Sequence, residues 1–189
     1  MNKILVIGGS KGIGNAIIKS LVDENSIINI SRTAPLLFHD NLTHYTCDIL
    51  TDDLPEAEEI DTLIYCPGSI NLKPISRLKL DDFRNDFEIN VIGAVKAIQH
   101  YLPFLKKGNK PSILLFSTVA AKLGMPFHAS VAAAKSAVEG LTKSLGAELA
   151  PLIRVNAIAP TVTDTDLASK LLRNERMIES ITERHPLKK

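Results

Sequence analysis

The chain has 189 residues, which suits one domain of ordinary size and leaves little room for a second. Hydrophobic residues make up 45% of the chain, which excludes wholesale disorder. The 22 Lys and Arg nearly balance the 21 Asp and Glu, and this balance favours a small or neutral partner over a nucleic acid.

The cysteines and the apolar runs exclude further classes of protein. Cys47 and Cys66 are the only cysteines, and they lack the spacing of a disulfide framework or a metal site. No apolar run approaches the length of a membrane span or of a signal-peptide core. We therefore expect a cytoplasmic protein that uses no metal, membrane or nucleic acid.

Short apolar runs alternate with longer helical patterns along the chain. The runs that predict strands are Ile4–Ile7, Ile27–Ile30, Leu63–Cys66, Ile113–Phe116 and Ile153–Ile158. In Ile4–Ile7, Leu63–Cys66 and Ile113–Phe116 every residue is apolar, which is typical of parallel strands buried on both faces. The alternation predicts an open α/β sheet with right-handed crossovers, built as one domain over residues 1–189.

Two long helices are predicted in the second half of the chain. An apolar stripe runs through Asp82–Lys107, where Pro103 is expected to kink the helix or end it early. A second stripe runs through Ser130–Ala150, and Pro151 closes it. The acidic segment Thr51–Glu59 is interpreted as a solvated loop or a short helix.

A glycine-rich turn separates the first strand from the first helix. Its sequence is Gly8-Gly9-Ser10-Lys11-Gly12-Ile13-Gly14. Glycines in this setting let the backbone turn sharply and approach a pyrophosphate, while the helix N-terminus faces its charge. The strand before the turn and the helix after it favour a dinucleotide site over a simple connection.

The end of the second strand bears on the choice of cofactor. An acid there would bind a ribose 2′-hydroxyl, whereas this chain has Ser31-Arg32, which suits a 2′-phosphate. Lys11 adds a second positive charge. The sequence therefore favours NADP(H) over NAD(H); the alternative is that Arg32 and Lys11 are ordinary solvated charges.

Four further stretches, with the glycine turn, make the chain resemble the short-chain dehydrogenase/reductase family. They are Asp48, Asn90-Val91-Ile92-Gly93, Arg154-Val-Asn-Ala-Ile-Ala-Pro160 and Thr165. The resemblance implies a Rossmann-type doubly wound parallel sheet with helices on both faces. It also implies an oxidoreductase that acts on a small carbonyl or alcohol, assembled as a homodimer or homotetramer.

The resemblance assigns cofactor contacts to specific residues. Asp48, with Ile49 beside it, is expected at the adenine. Pro160 and Thr165 are expected at the nicotinamide and its carboxamide. Where the family has Asn-Asn-Ala-Gly, this chain has Tyr65-Cys66-Pro67-Gly68; only Gly68 remains of that cofactor motif, and Tyr65 and Cys66 are expected to pack beside the cofactor.

The carboxyl-terminal part departs from the family in a second way. Residues Asp166–Ile181 resemble a mobile helical lid over the substrate, carrying Leu167, Leu171, Leu172 and Ile178. The final stretch Arg184–Lys189 resembles a connection to a further helix and strand. The family's usual final helix and strand are lacking here, so we expect either that this sequence is a piece of a longer chain or that the sheet ends early.

The catalytic set implied by the resemblance is incomplete. The family places a Tyr four residues before a Lys, so that both project from one helical face. Lys135 fits the lysine position, but Val131 stands at the tyrosine position, and Thr118 occupies that of the catalytic serine. Asn90 matches the asparagine that supports the proton relay.

Two neighbouring side chains are candidate substitutes for the missing phenol. Ser130 is adjacent to position 131, but it lies about 100° away around the helix and is only weakly acidic. His128 has a suitable pKa range and precedes the helix, where a loop could point it into the cleft.

Three functions compete at this point. The first is an NADP(H)-dependent oxidoreductase, impaired by Val131, in which Thr118 and Asn90 orient the reacting oxygen and water or His128 replaces the phenol. The second is a non-catalytic NADP(H)-binding sensor or the silent subunit of an oligomer. The third is an interaction module without a cofactor, which the glycine turn, Asp48 and Lys135 disfavour.

Overall fold

A computed structural model describes residues 1–169 and 172–184. Within them, parallel strands form one sheet in the order β3-β2-β1-β4-β5-β6. The strands are β1 (Lys3–Ile7), β2 (Ser26–Ser31), β3 (Leu42–Thr46), β4 (Thr62–Tyr65), β5 (Ser112–Phe116) and β6 (Arg154–Ile158). The strand order reverses between β1 and β4, so a ligand crevice is expected at the carboxyl ends of these two strands. The predicted doubly wound parallel sheet is confirmed.

Helices flank the sheet. In the described residues they are α1 (Gly12–Leu21), α2 (Leu80–Phe87), α3 (Gly93–Leu105), α4 (Ala120–Leu123), α5 (Ala129–Leu149) and α6 (Glu175–Arg184). Short 3₁₀ turns lie at Ile75–Arg77 and Asp166–Ala168. None of the helices in this part of the chain is long and apolar enough to cross a membrane.

Two apolar clusters lie on opposite faces of the sheet because side chains alternate along each strand. On β1, Leu5 and Ile7 belong to the larger cluster, which includes Ile98 of α3 and Val138 of α5. The alternating positions belong to the smaller cluster, which contains Ile18 of α1. Helices therefore cover both faces, as predicted.

The long helix predicted over Asp82–Lys107 is present with an interruption. A π-helical turn, Glu88–Ile92, joins α2 to α3, so the helical segment is continuous from α2 to Leu105. Pro103 lies in the last turn of α3, where the helix is about to end. The second predicted helix matches α5, and Thr51–Glu59 adopts the loop alternative.

Candidate active site

The glycine turn leaves β1 at its carboxyl end and leads into α1. Gly8 and Gly12 have φ of +80° and +53°, a region that favours glycine. A Cβ at Gly14 would collide with the carbonyl oxygen of Gly8, so the turn and the helix approach closely only without a side chain. Gly9 donates its N–H to Oδ1 of the fully buried Asn29 at 3.0 Å.

Asn29 therefore fixes the glycine turn from β2, a role that sequence reasoning missed. Its amide nitrogen also lies 3.1 Å from Ser31 Oγ and 3.0 Å from His44 Nδ1. A polar residue in the middle of the apolar run Ile27–Ile30 was the signal that could have identified it.

A cleft of about 620 Å³ opens over the glycine turn. This volume lies within the range of small-molecule and cofactor sites. The predicted cofactor residues that line it are Gly8, Ser10, Lys11, Gly12, Ile13, Gly14, Ser31, Arg32, Asp48, Ile49, Gly68 and Thr165. The structure thus brings residues from five separate loops to one crevice at the strand ends.

The far end of the cleft carries hydroxyls and positive charge. Thr33 Oγ1 donates to Ser10 Oγ at 3.2 Å, and Arg32 beside them is exposed. Lys11 forms an exposed ion pair with Asp166, with Nζ and Oδ2 3.6 Å apart. No acid stands at the end of β2.

Asp48 and Ile49 form the opposite wall of this end. Asp48 Oδ1 accepts from the N–H of Leu50 at 3.0 Å, which holds the carboxylate in a local turn. Its own N–H donates to Asp52 Oδ2 at 2.8 Å, and this bond is the main reason that the pKa of Asp52 is lowered. Ile49 is buried.

Lys135 of α5 is not a lining residue, but its Nζ lies just behind Gly68 in the cleft wall. Its Nζ donates to the carbonyl oxygen of Phe116 at 2.8 Å. Burial lowers the pKa of Lys135 to about 8, while Cys66 and Asp86 favour the charged form. Burial also raises the pKa of the Cys66 thiol to about 12, so this thiol stays protonated at neutral pH.

Gly68 leaves the inner end open. A Cβ at this glycine would lie 3.1 Å from Asn90 Oδ1 and 3.4 Å from Lys135 Nζ. Both polar atoms therefore approach the cleft wall at a residue without a side chain. Of the two residues expected beside the cofactor, Cys66 lines the cleft; the prediction for Tyr65 is corrected, because its side chain is buried in the core and its hydroxyl donates to Ile89 O at 2.6 Å.

Asn90 lies in the π-helical turn and is 2% exposed. Its Nδ2 donates to Asp86 O at 2.7 Å and to Ser69 Oγ at 3.1 Å. Its Oδ1 is buried and has no hydrogen-bond partner among the described residues. π-Helical turns are frequent at functional sites because the widened backbone re-aims side chains.

Sequence reasoning missed a polar cluster beside Asn90. The carboxylate of Asp86 is fully buried, and its Oδ1 accepts from Ser69 Oγ at 2.5 Å and from Asn71 Nδ2 at 3.0 Å. The spacing of Asp86 and Asn90, four residues apart on one helical face, was the available signal.

The tyrosine position is filled by a buried valine. Val131 is 5% exposed, and its neighbour Ser130 has a buried Oγ without a partner in the described part of the chain. Thr118 is partly exposed at the end of β5, and its Oγ1 accepts weakly from the N–H of Ala120 at 3.3 Å. The hydroxyl of Thr118 therefore keeps its donor capacity.

His128 is not among the residues that line the large cleft. It lines a separate apolar cleft of about 500 Å³ together with Lys73, Met125 and Phe127. Its Nδ1 lies 2.7 Å from the carbonyl oxygen of Pro126. The structure thus gives His128 a place in the loop before α5 rather than beside Lys135.

The segment expected to be a lid begins at the cleft. Thr165, Asp166 and Leu167 line it. Thr165 lies against the glycine turn, since a Cβ at Gly12 would come within 3.3 Å of Thr165 Cγ2. Ile178 lies further along, in α6. Leu171 and the final residues 185–189 lie outside the described residues.

Pro160, which was expected at the nicotinamide, does not line the cleft, and its carbonyl accepts from the N–H of Val119 at 3.1 Å.

Comparison with known proteins agrees with this geometry. A family model described as enoyl-(acyl carrier protein) reductase matches residues 44–189. A 2,5-dichloro-2,5-cyclohexadiene-1,4-diol dehydrogenase of Sphingobium indicum is 27% identical over 204 aligned residues, which cover 97% of this chain and 82% of that protein. Ligand-free aldohexose dehydrogenase of Thermoplasma acidophilum superposes with a TM-score of 0.87 at 26% identity, covering 100% of this chain and 80% of that one.

A second solved structure was determined with a nucleotide. ElxO with NADP bound has a TM-score of 0.85 at 25% identity, covering 100% of this chain and 85% of that one. The sheet order, the glycine turn and these matches define a Rossmann-type nucleotide-binding oxidoreductase. The chain belongs to the short-chain dehydrogenase/reductase family.

Proposed function

We propose that this chain is an NADP(H)-dependent oxidoreductase that interconverts a small alcohol and its carbonyl compound. One observation carries the proposal. A single cleft is lined by the glycine turn and by Gly68, and behind Gly68 lie two polar atoms, Asn90 Oδ1 and Lys135 Nζ, at 3.1 and 3.4 Å from the position that a Cβ would take there. This arrangement fits an extended dinucleotide with its reacting ring near Gly68.

The residues present fit the cofactor. Gly12 and Gly14 line the cleft where the turn meets the start of α1, which suits a pyrophosphate, and Lys135 offers an ammonium behind Gly68, where Asn90 Oδ1 still lacks a donor. When bound, the nicotinamide cofactor supplies or accepts a hydride. The chain's own groups orient the reacting oxygen, for which we assign Thr118 and Asn90.

The preference for NADP(H) rests on the residues at the end of β2. Arg32 is exposed and lines the cleft next to the hydroxyls of Ser10 and Thr33. A charge-assisted bond from Arg32 to a 2′-phosphate is worth about 1.5–3 kcal/mol. We therefore expect NADPH to bind at least about tenfold more tightly than NADH.

The valine at position 131 favours a second candidate function. A valine transfers no proton, and loss of a positioned acid costs about 10²- to 10⁴-fold in rate. A non-catalytic NADP(H)-binding sensor, or the silent subunit of an oligomer, would need only the cofactor residues. Both candidate proteins bind NADP(H), but only the first one catalyses hydride transfer.

The test of the cofactor assignment is a fluorescence titration with NADPH and NADH. Arg32→Asp should abolish or reverse the preference, whereas Arg154→Asp, an exposed arginine at the opposite edge of the sheet, should leave it unchanged. Equal affinities of the wild type for NADPH and NADH would refute the assignment. A screen of small ketones and cyclic alcohols then separates the enzyme from the binding protein.

A further inference from the structure

A buried carboxylate lies directly behind the inner end of the cleft. Asp86 belongs to α2 and is 0% exposed. A buried carboxylate is costly unless hydrogen bonds and an opposite charge compensate for the lost hydration. Two donors, Ser69 and Asn71, bind Asp86 Oδ1, and the charge of Asp86 favours the charged form of Lys135.

The bond from Ser69 is the shortest in this cluster. Ser69 Oγ lies 2.5 Å from Asp86 Oδ1, the length expected of a hydroxyl that donates to an ionised carboxylate. The only proton on Oγ is therefore directed to Asp86. Of the two lone pairs on Oγ, one accepts from Asn90 Nδ2 at 3.1 Å, which leaves one to accept another proton.

Ser69 lies beside the cleft, although it is not one of the residues that line it. It follows Gly68, which lines the cleft, and it is itself partly exposed. Asp86 is fully buried, and the hydroxyl of Ser69 lies between its carboxylate and the chain segment at Gly68. Asp86 Oδ2 and Asn90 Oδ1 have no partners within residues 1–169 and 172–184, so the cluster holds unused acceptor capacity.

We propose that Ser69, backed by Asp86, is the proton acceptor for alcohol oxidation in this site, in the place of the phenol that Val131 excludes. This inference rests on the proposed oxidoreductase function. Ser69 is the catalytic residue because its Oγ contacts the alcohol, and Asp86 is the positioning residue that acts through it.

The proton and electron balance of the step is complete. The alcohol O–H proton moves to Ser69 Oγ while the Ser69 proton moves to Asp86 Oδ1, so the carboxylate becomes a carboxyl group. The alcohol carbon loses a hydride, with both electrons of its C–H bond, to the oxidised nicotinamide cofactor. The products are the carbonyl compound, the reduced cofactor and protonated Asp86. Carbonyl reduction runs the same transfers in reverse.

The first experiment measures alcohol binding without turnover. The complex of the protein with NADP⁺ is titrated with 2,2,2-trifluoroethanol and followed by ¹⁹F NMR. Ser69→Ala should weaken binding about tenfold by removing the acceptor, whereas Ser69→Thr, which keeps the hydroxyl, should bind as the wild type does. Equal binding by Ser69→Ala would overturn the proposal.

The second experiment tests Asp86 in the cofactor-free protein. NMR titration of ¹³C-labelled lysine follows Lys135, and Asp86→Asn should lower its pKa because the opposite charge is removed. The matched control is Asp81→Asn, an exposed acid of α2 that is paired with Arg84 and should leave the titration of Lys135 unchanged. An unchanged Lys135 pKa in Asp86→Asn would show that Asp86 carries no charge near Lys135 and would overturn the proposal, because the relay needs an ionised carboxylate to accept the proton.

Turnover provides the third readout. With cyclohexanol and NADP⁺, Asp86→Asn should lower kcat about 100-fold, remove the base-dependent limb of the pH–rate profile and leave KM nearly unchanged. Retention of kcat within threefold of the wild type would overturn the proposal. If the wild type fails to bind NADP⁺ in a direct titration, the proposed function itself fails, and the Lys135 titration still decides whether Asp86 is the charge partner.

Discussion

The Lys135→Met variant tests how much the burial of a charged lysine destabilises the fold, and the measured quantity is the free energy of unfolding. Burial lowers the pKa of Lys135 from 10.5 to about 8, and a difference of this size corresponds to about 3 kcal/mol of destabilisation while the lysine is charged. Methionine removes this cost but also the bond from Nζ to Phe116 O at 2.8 Å, which is worth about 1 kcal/mol. The variant should therefore be about 2 kcal/mol more stable than the wild type at pH 7.

The pH dependence of this difference has a definite sign. Between pH 8 and 10.5 the unfolded chain holds the Lys135 proton more tightly than the folded chain does. The stability of the wild type therefore rises with pH through this window relative to the variant. Above this pH window Lys135 is neutral in both the folded and the unfolded chain, so the two proteins differ only by the hydrogen bond to Phe116 O. The variant should then be about 1 kcal/mol less stable than the wild type.

Urea denaturation of the cofactor-free proteins at pH 7, 8, 9 and 10 measures the difference. Lys143→Met, an exposed position on the same helix, is the control and should stay within about 0.5 kcal/mol of the wild type at each pH. A Lys135→Met variant that is less stable than the wild type at pH 7, or a difference that does not change with pH, would refute this reasoning.

Three further outcomes are expected. Gly14→Ala should destabilise the fold by about 1–3 kcal/mol and abolish NADPH binding, because the Cβ meets the Gly8 carbonyl; Gly140→Ala, whose Cβ meets nothing, should be neutral or stabilising by thermal melting. Val131→Tyr in an Asp86→Asn background should raise turnover about 100-fold by supplying a phenol one turn from Lys135. Light scattering at micromolar concentration should show a homodimer or homotetramer packed through α3 and α5; a monomer would contradict this.

The apolar runs predicted strands β1, β2, β4, β5 and β6, whereas they did not predict the edge strand β3. β1 carries four consecutive buried residues after Lys3, which is the pattern of a strand covered on both faces. β3 lies at the sheet edge and reads Leu-Thr-His-Tyr-Thr, with none of its residues fully buried. Such a strand forms because β2 offers it a parallel partner, and apolar runs do not reveal it.

The glycine turn and its place after the first strand were equally predictable because this feature is local. The glycine turn lies within seven consecutive residues whose backbone requirements are visible in the sequence. The polar cluster of Ser69 and Asp86 depends on contacts between distant segments. Ser69 and Asp86 are separated by 17 positions, and they meet where the loop after β4 packs against α2. The same dependence on loop conformation places His128 at a different cleft.

The most direct test of the proposed function is hydride transfer itself. The protein is incubated with NADPH that carries deuterium at the transferable position of C4, together with cyclohexanone, and the alcohol product is analysed by mass spectrometry. We predict NADPH binding in a parallel titration and one deuterium on the carbinol carbon, absent when Lys135→Met replaces the wild type. Tight NADPH binding without any label in an alcohol, for cyclohexanone and for a panel of small ketones, would contradict the enzyme assignment and favour the binding protein.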